Sequence, residues 1–349
     1  MANRRGKNQS IVEVAKKAGV SVTTVSRVLN NSPHVRPETK QQVLAAITKS
    51  GYFHSAGRPG PKPGLPSRKK KVALVFFLDR YHANMDMPSG VVALQRGAAE
   101  GGAENDLLLH THIVNAETGF PESLRKGGYR GFLLIGYQPS ADAKDFLKTQ
   151  PCCWVMNNPW VPTFGDHVMP DHHKAGAIAA NYLIERGCRN PCAIRLGPKD
   201  LVQTIRETGF HYAVHQHGLK SMSVTAKKTY NTTSSSSFPE EIFMDEIIDL
   251  IKKKTPRPDG FFMDCDQSLA VLYPVMVREK LIIPGKTVLI GCNNQSQYLR
   301  GMNPYPASIE VHFHLIGRVG AAQLAWRIKN KDTAQRICSL IAPNLIFLS

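Results

Sequence analysis

The sequence predicts a small all-α, helix-turn-helix module at the N-terminus, followed by a larger two-lobed α/β body built on parallel sheets. Three observations carry this. Positive charge is concentrated at one end, where residues 1–71 hold 15 Lys and Arg against 2 Asp and Glu, out of 44 and 27 in the whole chain. Residues 10–52 repeat apolar side chains at helical spacing. From Lys71 onward, continuous apolar runs alternate with helical patterns to the end of the 349 residues.

Length and composition set the bounds. A chain of 349 residues with 42% hydrophobic residues is globular and too long for one hydrophobic core. It contains no uninterrupted apolar run of about 18 residues, so no membrane span is expected. Its first residues, MANRRGKNQS, are basic but lack the apolar stretch of a signal peptide, and a cytoplasmic location is expected. The seven cysteines (Cys152, Cys153, Cys188, Cys192, Cys265, Cys292 and Cys338) are scattered without a CxxC pair, which predicts buried thiols rather than a disulfide framework or zinc site. A strongly basic module on a nearly balanced body expects a polyanionic partner.

In SIVEVAKKAGVSVTTVSRVLNN, Ser10 and Glu13 have the spacing of a capping box, and Ile11, Val14, Ala15 and Ala18 recur on one helical face. Gly19 ends that helix and Ser21 caps the next, whose buried stripe is Val25, Val28 and Leu29. A third helix is predicted from Pro37 to Ser50, with Val43, Leu44 and Ile47 facing inward. On the second helix Val22, Thr23, Thr24, Ser26 and Arg27 lie off the core stripe. Hydroxyls there can bond phosphates or base edges, Val22 and the threonine methyls can pack on thymine methyls, and Arg27 can fork onto guanine.

Residues 54–71, HSAGRPGPKPGLPSRKKK, cannot build a core, because proline stands at almost every second position of PGPKPGLP and extended, polyproline-like backbone is expected. In the body, the runs KVALVFFL, GFLLIG (131–136), CCWVM (152–156), PCAIRLG (191–197), GFFMD (260–264) and TVLIG (287–291) read as buried parallel strands. A helix is predicted over 173–186, with Ala175, Ile178, Ala179, Tyr182 and Leu183 on one face and Gly187 as its stop. Two such lobes facing each other leave a cleft at the carboxyl ends of the strands, where ligands bind in open α/β sheets.

The segment VEVAKKAGVSVTTVSRVLNNSPHVRPETKQQVLAAITKSGY resembles the DNA-binding domain of the LacI family of bacterial transcription regulators, the lac and purine repressor type. The body resembles that family's effector domain, which has the periplasmic sugar-binding fold, in GDHVMPDHHKAGAIAANYLIERGCRN, IRETGFHYAVHQHGL, REKLIIPGKTVLIGCNN and ASIEVHFHLIGRVGAAQLA. The resemblance implies that Val22, Thr23 and Arg27 face bases in the major groove, that Ser26, Asn30 and Thr39 hold phosphates, and that His34 lies close to the duplex. Arg36 departs from the usual helix-capping serine. The resemblance also implies three crossings between lobes, placed near 158–162, 292–308 and 328–334.

That division gives a module at 1–56, a linker at 57–70 and a body at 71–349, with lobe 1 about 71–159 and 310–329 and lobe 2 about 160–309 and 330–349. By the same resemblance Arg206 stands where relatives meet a small-molecule effector, and Asn293 stands where many relatives have Asp. Asp266 and Asn157 lie at strand ends, and Trp154 or Trp160 offers a ring for a sugar, although core packing is the commoner role of a tryptophan. His312 also replaces a frequent Asp. AGRPGPKPG resembles the core of an AT-hook, which makes Arg58, helped by Lys62, a candidate minor-groove reader in place of the family's hinge helix; a basic spacer that touches only phosphates is the alternative.

His211, His215 and His217 include an i, i+4 pair, but no third ligand is evident and no metal or other cofactor is expected. No catalytic motif appears, which argues against an enzyme. The expectation is a homodimeric regulator, a repressor before an activator, binding a pseudo-palindromic operator in double-stranded DNA under control of a small molecule, expected to be a sugar. Two rivals remain: an architectural DNA-binding protein with a degenerate pocket, and a solute-binding protein for transport.

Overall fold

The apolar runs that suggested buried strands form strands of two parallel sheets. The computed structural model describes residues 11–29, 35–50, 69–78, 89–155, 164–196, 201–226 and 244–347. The chain divides into two compact units, Met1–Pro66 and Ser67–Ser349.

The first unit contains α1 (Ile11–Ala18), α2 (Val22–Leu29) and α3 (Pro37–Ser50). Gly19, at φ +65°, takes the left-handed conformation that ends α1, and the Ser21 hydroxyl accepts from the Thr24 backbone N–H at 3.1 Å to cap α2. Val14, Ala15, Val25, Val28, Val43 and Ala46 form the core. Leu44 is a correction. It is 47% exposed, because the inward stripe of α3 runs through Val43, Ala46 and Ile47 and leaves residue 44 about 100° away.

In the second unit, β1 (Lys70–Leu78), β2 (Leu107–Asn115), β3 (Phe132–Gly136), β4 (Cys152–Val155), β5 (Asp166–Pro170) and β11 (Cys338–Ile341) make a six-stranded sheet in the order β11-β5-β4-β3-β1-β2. Every pairing in it is parallel. Along β1, Val72, Leu74 and Phe76 enter one core with α4 (Ser89–Glu104) and α12 (Phe313–Lys329), while Ala73, Val75 and Phe77 enter another with α5 (Glu122–Arg125) and α6 (Ala141–Leu147). Burial on both faces explains why β1 reads as an unbroken apolar run. α4 and α12 touch backbone to backbone: a Cβ on Gly97 would collide with the His314 carbonyl, and one on Gly317 with the Leu94 carbonyl.

The second sheet has the order β7-β6-β8-β9, from β7 (Met222–Thr225), β6 (Pro191–Arg195), β8 (Gly260–Met263) and β9 (Val288–Ile290), again all parallel. α7 (His172–Glu185) and α8 (Leu201–Gln216) pack on one face; α9 (Met244–Lys252) and α10 (Asp266–Arg278) pack on the other. The short α11 (Ser296–Leu299) follows β9, and β10 (Ser308–Glu310) pairs antiparallel with β12 (Asn344–Ile346). The helix expected over 173–186 is α7, and the six apolar runs are β1, β3, β4, β6, β8 and β9.

The lobe boundaries need correcting. Residues 166–170 and 338–341 were assigned to lobe 2 but form β5 and β11, paired in the first sheet with Cys338 opposite His167. The chain therefore passes between sheets at Asp171, at Val311–His312 and at Ala342–Pro343. A buried ion pair holds this arrangement. Asp166, 0% exposed, takes Arg327 Nε at 3.0 Å and Nη2 at 2.5 Å, together with Gln323 and the Ile337 backbone N–H. Short polar-ended strands such as DHVMP carry little hydrophobic signal, which is why β5 was not legible.

Candidate functional site

Two regions carry chemistry, one in each unit. In the first, α2 turns Val22, Thr23 and Arg27 outward, with Thr24 and Ser26 half-buried. The Thr24 hydroxyl lies 2.9 Å from that of Ser21, so it belongs to the helix cap. Thr39 sits half-buried in the first turn of α3, and Arg36, immediately before it, accepts through its carbonyl from the Lys40 N–H at 3.0 Å. α3 thus starts without a side-chain cap at residue 36. Asn30, His34 and Arg58 lie outside the described residues, as do Asn157 and Trp160.

In the second unit, Arg206 is the centre. It projects from α8 and is 5% exposed. Its Nε donates to His172 Nδ1 at 3.2 Å, Nη1 donates to the Asp264 carbonyl, and Nη2 donates to Asn293 Oδ1 at 3.1 Å. Burial first, and the Arg206 charge second, push His172 down to about 2, so its ring is neutral. Because Nδ1 accepts from Arg206, the ring proton sits on Nε2, which has no hydrogen-bond partner among the described residues. Arg195, at the carboxyl end of β6 and also buried, pairs with Glu207 at 3.1 Å and donates to Thr225 at 3.1 Å; it shares with Arg206 and Asp264 the wall of a chamber of about 10 Å³, room for about one water.

Asn293 connects Arg206 to open space. It lines a cleft of about 370 Å³ together with Ser89, Gln295, Glu310, His312 and Phe313, among others. That volume lies within the range of small-molecule sites. The backbone here takes left-handed turns at Asn293 (φ +100°), Asn294 (φ +51°) and His312 (φ +63°). Asparagine tolerates that region better than most residues, which accounts for the Asn-Asn pair. Glu310 fixes two of the turns, accepting from Asn294 Nδ2 at 2.8 Å and from the His312 N–H at 2.6 Å.

Asp266 and Trp154 do not line the cleft. Asp266 is 0% exposed; its carboxylate accepts from the Gln295 N–H at 2.7 Å and from the Ser308 hydroxyl at 2.8 Å, which pins the Cys292–Gln295 turn against β10. Desolvation raises it to about 7, opposed by those hydrogen bonds and by Arg206. Its place at a strand end suggested a ligand contact, but the first residue of α10 points back between the strands. Trp154 is 3% exposed and packs against Phe77 and Phe164 in the first sheet's core. The sequence reading missed His172, Ser89, Gln295 and Glu310, for which only the topology supplies a signal. His211 pairs with Glu207 at 3.5 Å and His217 with Asn181 at 3.1 Å. Among the described residues no group of three or more His, Cys, Asp or Glu could hold a metal, and no helix is long and apolar enough to cross a membrane.

Known proteins align along the same two-part plan. Residues 10–55 match the family described as bacterial regulatory proteins, lacI family, and residues 180–347 match the periplasmic binding protein-like domain. The sucrose operon repressor of Escherichia coli is 24% identical over 333 residues, covering 90% of this chain and 93% of the repressor. The transcriptional regulator CelR–cellobiose complex superposes with a TM-score of 0.60 at 21% identity, over 97% of this chain and 98% of that one. The lac repressor dimer bound to operator and the anti-inducer ONPF gives a TM-score of 0.57 at 16% identity, over 98% of both chains. The N-terminal module is thus that of the lacI family of bacterial regulatory proteins, and the binding-protein-like body follows it in the order found in its repressor relatives.

Proposed function

We propose that this chain represses transcription by binding an operator as a homodimer and that a small molecule held between its two lobes sets the affinity. The observation that carries the reading is the exposed front of α2, with Val22, Thr23 and Arg27 clear of a helix-turn-helix core, on a chain whose other unit holds a cleft of ligand size. In this reading those three side chains face bases in the major groove, and Ser26, Asn30 and Thr39 hold phosphates. His34 follows close to the duplex, and Arg58 reads an A·T-rich operator centre through the minor groove. Relatives such as the sucrose operon repressor are repressors by name, which does not favour the architectural alternative.

For the effector, an uncharged, hydroxyl-rich molecule such as a sugar suits the cleft best. Arg206 spends its three nitrogens on protein acceptors, so the cleft meets it only through Asn293. Since the Asn293 oxygen faces Arg206, its amide N–H groups are what it has left to offer. Glutamine, serine and Glu310 complete a lining of donors and acceptors, with the Phe313 ring as an apolar surface. Relatives named for sucrose and cellobiose point to the same ligand class.

Selection of bound duplexes from a random pool, with full-length protein at a stated salt concentration, tests the reading. An inverted repeat is expected. A pool without any enriched sequence would overturn it.

A further inference from the structure

Beside Asn293 the two lobes meet through a hydroxyl. Ser89 is the first residue of α4, which belongs to the six-stranded sheet's lobe; Gln295 and Gln297 lie between β9 and β10 in the other. Ser89 Oγ accepts from Gln295 Nε2 at 2.9 Å and from Gln297 Nε2 at 2.8 Å. Those two bonds use both lone pairs of one oxygen and leave its proton to donate. We propose that Ser89, Gln295 and Gln297 form a latch that biases the cleft toward closure. This rests on reading the cleft as the effector site.

The two sides of the latch differ in burial. Gln295 is 8% exposed, and its backbone N–H is bonded to the buried Asp266 carboxylate. It is a fixed post. Ser89 is exposed at the rim, on a helix whose next residue, Gly90, lies so close to Phe313 that a Cβ would enter the ring. The start of α4 is therefore pressed onto the start of α12, immediately after the crossing at Val311–His312, and any rotation at that crossing changes the distance from Ser89 to the glutamines. The latch has no charge. It can part in water without exposing an unpaired ion, as a reversible closure requires.

An effector hydroxyl placed between the lobes would seek the same pair of amide donors. Ser89 thus supplies from the protein the kind of contact that closes the site.

Hydrogen–deuterium exchange on the full-length protein tests this without DNA or effector. Ser89→Ala, which removes both bonds, is expected to speed exchange about five- to thirty-fold in segments 89–96 and 293–299, the range for one to two net hydrogen bonds. Ser89→Thr, which keeps the hydroxyl, is expected to match the parent. Gln297→Ala should also speed exchange in both segments, and the Ser89→Ala/Gln297→Ala double variant should add less than the two single effects combined. Unchanged exchange in Ser89→Ala, or strictly additive effects in the double variant, would overturn the latch. Absence of an enriched operator would instead sink the regulator reading and leave the latch standing, so the two failures are distinguishable.

Discussion

Arg206 and Asn293 are joined at 3.1 Å, guanidinium nitrogen to amide oxygen, and of the two only Asn293 faces the cleft. A buried cation thereby orients a neutral residue for recognition. Asn293→Asp would place a carboxylate against the same guanidinium and turn the residue's open side from donor to acceptor. The expected result is a retained fold and a changed preference among sugars in thermal-shift titration. An unchanged preference would remove Asn293 from the binding surface.

Arg206→Ala is expected to destabilise the second unit by about 3 kcal/mol, because the His172 nitrogen, the Asp264 carbonyl and the Asn293 oxygen all lose a buried donor. Urea denaturation followed by tryptophan fluorescence measures this; a loss under about 0.5 kcal/mol would mean the site relaxes around the deletion.

Two buried groups near Arg206 give opposite pH slopes. Asp266 is raised to about 7 from 3.8, so its contribution is fully present below pH 4 and is lost as pH rises to 7. His172 is lowered to about 2 from 6.5, so its contribution is present above pH 6.5 and is lost as pH falls toward 2. Between pH 4 and 6.5 they oppose each other. Asp266→Asn should make stability rise more steeply with pH across that window, and His172→Gln should make it fall. Parallel profiles for all three proteins would contradict the assignment.

On DNA, Arg27→Ala should relax preference at one operator position and cost about 1–3 kcal/mol, whereas Thr39→Ala should weaken all sequences alike. Arg58→Lys should erase preference at the operator centre if the arginine enters the minor groove, and should cause a small uniform weakening if the linker is a spacer. Binding measured on single-base operator variants separates these outcomes.

Gly97→Ala would push a methyl group into the His314 carbonyl and part α4 from α12. A destabilisation of about 2 kcal/mol or more is expected, because neither backbone can yield without breaking the packing of its own helix. Chemical denaturation is the check, and a neutral result would show that the helices can slide.

The three helices of the first unit and six strands of the second were legible because each has the apolar period of its own geometry: Val25 and Val28 on one helical face, Val72 to Phe77 buried on both sides of a sheet. What stayed hidden depends on partners distant in sequence. β11 becomes a strand by pairing with β5, and its cysteine and leucine point to solvent. Asp266 reads as a ligand contact until Ser308 and Gln295 are seen around it. Arg206 was found through family resemblance, but its orientation is set by His172 and Asn293, which lie 34 and 87 residues away in the chain.

The late strands β11 and β12 bear on how the protein is born. Each sheet system takes a strand from far along the chain: Cys338–Ile341 completes the six-stranded sheet, and Asn344–Ile346 covers β10 beside the other. A chain still on the ribosome can fold its helix-turn-helix unit once α3 has emerged, but neither lobe reaches its full complement of strands until Asn344–Ile346 has followed. The helix-turn-helix unit would therefore be complete long before either lobe, and ribosome stalling or truncation near residue 335 would leave that unit attached to two lobes that each lack a strand.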